Sequence, residues 1–159
     1  MKTMPGEDQN VDLRDIAEKA EASFRQTHDV REQALRLSRE IVRNSANSIR
    51  ATHRGEFENA RRLLTEVSEL AAEIESVLKE HPSVYYAGYV EDAQKEYAEA
   101  SATLSFVEGT GLAGPEDLGM GAAPYMNGLA EAVGELRRFI LDSLRKNDLT
   151  RCEELLEVM

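Results

Sequence analysis

The sequence contains no tryptophan, one cysteine and four prolines, and aromatic residues make up only 6% of it. A single thiol, Cys152, cannot close an intrachain disulfide, so nothing here calls for an oxidising compartment. With so few large rings, a core must be built from Leu, Ile, Val and Ala, which suits helix-on-helix packing. No apolar run approaches the ~20 residues that span a bilayer. Residues Met1 to Asn10 are polar and acidic and lack the apolar stretch of a signal peptide. A cytoplasmic protein with no membrane partner is expected.

What is present fits one globular domain. A chain of 159 residues, 42% hydrophobic and 31% charged, is long enough to bury about 70% of its unfolded surface. Residues 1–10 read as a disordered tail and 11–159 as a single helical domain. The net charge is −11 and the sequence pI about 4.8. Five of the 19 basic residues are lysine, leaving 14 arginines. This balance has two readings: an acidic surface kept soluble in a halophilic host, or a protein that does not bind polyanions. Net charge does not choose between them, because binding depends on where the positive charges sit.

Helical spacing runs through almost the whole chain. Gly and Pro cluster internally in only two places, at His81-Pro82 and from Gly109 to Gly121. Val11 to about His28 predicts a first helix, with Leu13, Ile16, Ala20 and Phe24 on one side. Asp29 is a good N-cap for a second, running to about His53 through Val30, Ala34, Leu37, Ile41, Ser48 and Thr52. Gly55 ends it. Further helices are expected from Glu56 to Lys79, Gly88 to Val107 and Pro124 to Arg145, with a last one beginning near Asp148. Strict alternation persists nowhere, so no strand is expected. The fold class is all-α, an antiparallel bundle of about six helices. The stretch Gly109 to Gly121 lacks the Lys and Ser/Thr of a phosphate loop and reads as a flexible crossover.

Two patterns carry possible chemistry. At ~100° per residue, Arg36, Arg39, Arg43, Arg50 and Arg54 fall within roughly 60° of one another, beside the apolar face of their helix. They form a stripe about 27 Å long, 18 steps at ~1.5 Å. The phosphates of an extended strand could track such a row; a solvated or salt-bridged helix face would look the same. In the next helix but one, Asp92, Glu96 and Glu99 share one face beside the apolar seam Tyr89, Ala93, Tyr97, Ala100, Leu104 and Val107. Carboxylates three apart can chelate one divalent cation, or pair with an arginine from a neighbouring helix. Glu131 and Glu135 repeat the motif at i, i+4 on the fifth helix, with Asn127, Arg138 and Asp142 near them in projection. The histidines His28, His53 and His81 have no ligand-like mutual spacing, and Cys152 reads as a small helix residue.

Three segments together resemble the translin/Trax family. The first runs Ser38-Arg39-Glu40-Ile41-Val42 and on through Ser48-Ile49-Arg50-Ala51-Thr52-His53-Arg54. The second, Gln94-Lys95-Glu96-Tyr97-Ala98-Glu99-Ala100, is similar to the Trax motif that carries paired catalytic glutamates. The third comprises Tyr125, Gly128-Leu129-Ala130-Glu131, Gly134-Glu135-Leu136-Arg137-Arg138 and Asn147-Asp148. The blocks occur in family order and span about Val11 to Leu156.

The resemblance implies a helical protomer that assembles into a hollow, usually octameric, homo-oligomeric shell binding single-stranded RNA or DNA. In the Trax branch, to which this sequence with its acidic set looks closer, it implies a Mg²⁺-dependent endoribonuclease, and the sequence resembles the compact archaeal members of the family. Glu96 and Glu99 match the glutamate pair, Glu131 matches a position where Trax has aspartate, and Glu135 matches the glutamate after it. By that match Glu96, Glu99 and Glu131 hold Mg²⁺, Glu135 completes the shell or orients the water, and the arginines position the strand. Binding without catalysis, and a helical scaffold with no nucleic-acid role, are the alternatives. The sequence departs from the pattern in three ways. Ala46-Asn47 stands where Trax-like sequences carry Lys-Arg, and Glu131 is one methylene longer than aspartate. The chain also stops at Met159 inside an apparent helix, where family members continue with further helical sequence.

Overall fold

The computed structural model describes residues 12–159. The expected tail over 1–10 and the expected helix start at Val11 lie outside the described residues. Among the described residues there are six helices and no strand: α1 (Leu13–His53), α2 (Phe57–Leu78), α3 (Pro82–Tyr85), α4 (Tyr89–Glu108), α5 (Ala122–Arg145) and α6 (Cys152–Val158). None of them is long and apolar enough to cross a membrane.

The two helices expected on either side of Asp29 are a single helix of 41 residues. Between Gln26 and Arg31 there is no Gly or Pro to break the hydrogen-bond ladder, and an Asp caps only where the preceding chain leaves helical geometry. That happens at Asp12, whose carboxylate accepts from the Arg14 N–H at 2.9 Å. Thr27 instead bonds back to the Ser23 carbonyl at 2.9 Å, as a mid-helix threonine does. The first third of α1 extends past the bundle, leaving Leu13 and Phe24 78% and 74% exposed. Gly55, at φ +75°, turns the chain into α2. The one-turn α3 was not expected, and α6 begins at Cys152 rather than near Asp148. There the Asp148 carboxylate instead holds a turn, accepting from Thr150 N–H at 3.1 Å and its hydroxyl at 2.7 Å.

α1 and α2 pack antiparallel, with Ser48 donating to the Ala60 carbonyl at 3.0 Å and Ala51 packed beside Ala60. α2 and α4 are also antiparallel, since Arg61 near the start of one pairs with Glu108 at the end of the other. The segment 109–121 then crosses back to the opposite end of the bundle, so α5 runs parallel to α4. This crossover is fastened rather than loose. Leu118 and Met120 pack on the main core, and Tyr125 Oη donates to the Ala113 carbonyl at 3.0 Å. The core between α1, α2 and α4 is Leu37, Ile41, Val67, Ile74, Leu78, Val90 and Tyr97. Each fully buried aliphatic side chain there contributes roughly 1.5–3 kcal/mol. A second cluster, Val107, Leu136, Ile140, Cys152 and Leu155, closes the end where α6 docks.

Candidate metal centre and nucleic-acid interface

Gly128 sets the distance between α4 and α5. A Cβ at this position would lie 2.4 Å from the Lys95 carbonyl oxygen, 2.7 Å from Ala98 Cβ and 2.9 Å from the Glu99 amide. The two backbones therefore touch one turn before Glu131, at the level of Glu96 and Glu99. Their carboxylates are brought together by this crossing. One ligand oxygen from each of Glu96, Glu99 and Glu131 can be chosen so that all lie within 4.8 Å of one another.

The cluster is electrically strained. Burial pushes the Glu99 carboxyl up to about 7, with the carboxylates of Glu96, Glu131 and Glu135 adding to the rise and Lys95 opposing it. Lys95 lies among these charges: its Nζ stands 2.9 Å from Glu131 and 3.3 Å from Glu96. Its pKa is raised, chiefly by the hydrogen bond to Glu131. Glu135 does not join the three. It is 2.5 Å from His53 Nε2 and 3.7 Å from Arg138 Nη1, and its charge adds to the rise at Glu99. The His53 side chain is 7% exposed, and its Nδ1 is buried without a partner. Asp92 lies apart, in a cleft between α1 and α4.

This donor set fits a hard divalent cation. It is all carboxylate oxygen, and two oxygens on opposite sides of one Mg²⁺ lie about 4.2 Å apart, twice the ~2.1 Å ligand distance. The spacing of the three carboxylates, within 4.8 Å, is compatible with that. The charge of such an ion would also relieve the repulsion that raises Glu99.

A pH dependence follows. The folded chain holds a proton on Glu99 up to about pH 7, whereas an ordinary carboxyl releases it near 4.5. Glu99 thus contributes stability that is fully present below pH 4.5 and lost as pH rises through about 7. The melting temperature of metal-free protein should carry a component that falls across this window and is missing in Glu99→Gln. The side-chain carboxyl carbon of Glu99 should titrate by NMR near pH 7; a midpoint below 5 would contradict the crowded cluster.

The arginine stripe is realised unevenly. All five side chains are exposed, four on α1 and Arg54 at its C-cap, but Arg54 is clamped by Glu56 through two bonds of 2.7 and 2.8 Å, and Arg50 donates to Asn47 at 2.7 Å. Arg36, Arg39 and Arg43 carry no ion pair among the described residues. Arg39 and Arg43 border a shallow cleft of about 350 Å³ walled by Leu35, Val42 and Tyr89. On the α4 side the cleft is bordered by Tyr89 and Asp92.

Lys95 and His53 were the residues that pattern reading passed over as site groups. Adjacent helix residues point about 100° apart, so Lys95 does not register as a partner of Glu96 on a helical wheel. His53 meets Glu135 across 82 residues of sequence. The only local hint for either was its presence inside a segment already singled out for other residues.

No protein-family model matches the sequence. A Methanocaldococcus jannaschii protein, described only as uncharacterized, is 31% identical over 132 residues, 82% of this chain; the chain spans 58% of that relative's length. The crystal structure of C3PO from Archaeoglobus fulgidus superposes with a TM-score of 0.83 at 32% identity, over 89% of this chain and 73% of that one. The same protein in complex with duplex RNA gives the same values. Apo C3PO from Nematostella superposes with a TM-score of 0.72 over 98% of this chain and 77% of that one. At 20% identity it speaks for the fold alone.

Proposed function

The chain belongs to the translin/Trax family, and on that premise we propose that it binds single-stranded RNA or DNA and cleaves RNA with Mg²⁺. The observation that carries this reading is the convergence of Glu96, Glu99 and Glu131 from two helices on one point. These three would hold the ion, which when bound supplies a water of lowered pKa and positive charge for the pentacovalent phosphorus. Glu135, held by His53 at 2.5 Å, would orient the attacking water. Arg36, Arg39, Arg43 and Arg50 would take the phosphates, giving Arg54 a smaller share because Glu56 engages it. The apolar stripe left bare on α1 supports assembly of several copies, eight by family analogy.

The test is incubation of purified protein with labelled single-stranded RNA, in Mg²⁺ or in EDTA, with single-stranded DNA and duplex RNA in parallel. Cleavage in Mg²⁺ alone is expected. The double change Arg43→Glu, Arg50→Glu should weaken retention by about 100-fold or more, since like charges then face phosphates, with the helical circular dichroism unchanged. Undiminished affinity would remove the stripe as the binding surface.

A second reading is favoured by Lys95, which already neutralises part of the cluster: binding of single strands without catalysis. Retention with no cleavage in either buffer selects it. Neither retention nor cleavage selects a helical scaffold, the reading that a net charge of −11 favours.

A further inference from the structure

We propose that Lys95 is an exchangeable internal counter-ion: its ammonium holds the place of the divalent cation, and the ion enters only as that ammonium leaves. The inference rests on the metal-binding reading above and gives a role to Lys95, which that reading leaves without one. Lys95 Nζ contacts both oxygens of Glu131 at 2.9 Å and one oxygen of Glu96 at 3.3 Å. Those two residues are two of the three that converge on one point. An ammonium bonds carboxylate oxygens near 2.7–2.9 Å, whereas Mg²⁺ needs them at about 2.0–2.1 Å. The two cations therefore compete for the same carboxylates, and two positive charges this close repel.

The side chain is built to move. A lysine carries its charge on a flexible four-carbon stem, and Lys95 retains 23% exposure at the edge of the cluster, so it can swing toward solvent without disturbing the α4–α5 crossing. The backbone beneath it cannot follow, because the Lys95 carbonyl is wedged against Gly128. In the metal-free protein the ammonium offsets repulsion among Glu96, Glu99 and Glu131. Once displaced, it remains beside the cluster as a free cation. Loss of Lys95 should therefore tighten metal binding and loosen the metal-free fold, a pairing that a merely structural salt bridge does not produce.

Calorimetric titration of the full chain with Mn²⁺ tests this, using wild type, Lys95→Met and Lys95→Arg. Lys95→Met should bind Mn²⁺ about tenfold more tightly or better, given one positive charge removed at contact distance. It should also melt earlier without metal and gain more melting temperature from Mn²⁺ than wild type. Lys95→Arg should stay at or near wild-type affinity. Equal affinity in wild type and Lys95→Met overturns the exchange while leaving the metal site standing. No Mn²⁺ binding by either protein overturns both. Should Lys95→Met fail to fold without metal, wild type labelled at lysine answers the same question by NMR. The Lys95 side-chain signals must shift with Mg²⁺ at the midpoint of metal binding, and signals that stay fixed overturn the exchange.

Discussion

Glu99→Gln is expected to remove metal-dependent RNA cleavage while leaving the metal-free protein as stable as wild type, or more so, at pH 8. Loss of a group one step removed from a metal costs about 10–100-fold in affinity or activity, and loss of a direct ligand should exceed that. Stability moves the other way because of where Glu99 sits. Burial and the three neighbouring carboxylates already push its pKa to about 7, so at pH 8 the folded chain carries an ionised group that it would hold more cheaply neutral. Glutamine keeps the shape and removes the charge. A carboxylate serving only as a structural ion-pair partner would behave oppositely, since its removal leaves a buried cation unpaired. Cleavage and thermal melting measured on one preparation separate the two. Wild-type cleavage by Glu99→Gln, or a melting temperature well below wild type, would take Glu99 out of the metal site.

Gly128→Ala is the second substitution with a large expected effect, and here the sign is the informative part. Alanine in place of glycine within a helix ordinarily stabilises by roughly 0.5–1 kcal/mol. At Gly134, on the same helix with nothing within 4 Å of a new Cβ, that gain should appear. At Gly128 the new methyl would lie 2.4 Å from a backbone oxygen and 2.9 Å from a backbone nitrogen, neither of which can rotate away. The helices must part, at a net cost of about 1–3 kcal/mol, the range for overpacking a close contact. Because the same contact sets Glu131 opposite Glu96, metal affinity should fall with stability. Chemical denaturation of both variants, with Mn²⁺ titration of the folded protein, gives the comparison. A stabilised Gly128→Ala would mean that the crossing is looser than the structure places it.

Helix existence was legible residue by residue, because the 3.6-residue apolar period of Leu37, Ile41, Ser48 and Thr52, and of Ala93, Tyr97, Ala100 and Leu104, is written locally. The break expected at Asp29 was not real, since a side chain able to cap a helix does so only where the backbone leaves helical geometry, and at Asp29 nothing makes it leave. The start of α6 slipped for a related reason. The sequence predicts a helix start near Asp148, and its carboxylate caps a turn instead.

The sequence by itself determined an all-α fold, the arginine row on one helix and the two acidic pairs, because each is a periodicity within a single helix and needs no knowledge of its neighbours. Which of these residues meet was decided by the tertiary structure alone. The crossover 109–121 returns the chain so that α5 runs beside α4 in the same direction, and the missing Cβ at Gly128 lets their backbones touch. That contact places Glu131 with Glu96 and Glu99, leaves Glu135 to His53, and puts the Lys95 ammonium between two of the carboxylates. The pairings between helices, such as Lys95 with Glu131 at 36 residues and His53 with Glu135 at 82, depend on distances of a few ångströms. A pattern with a period of 3.6 residues holds no record of them.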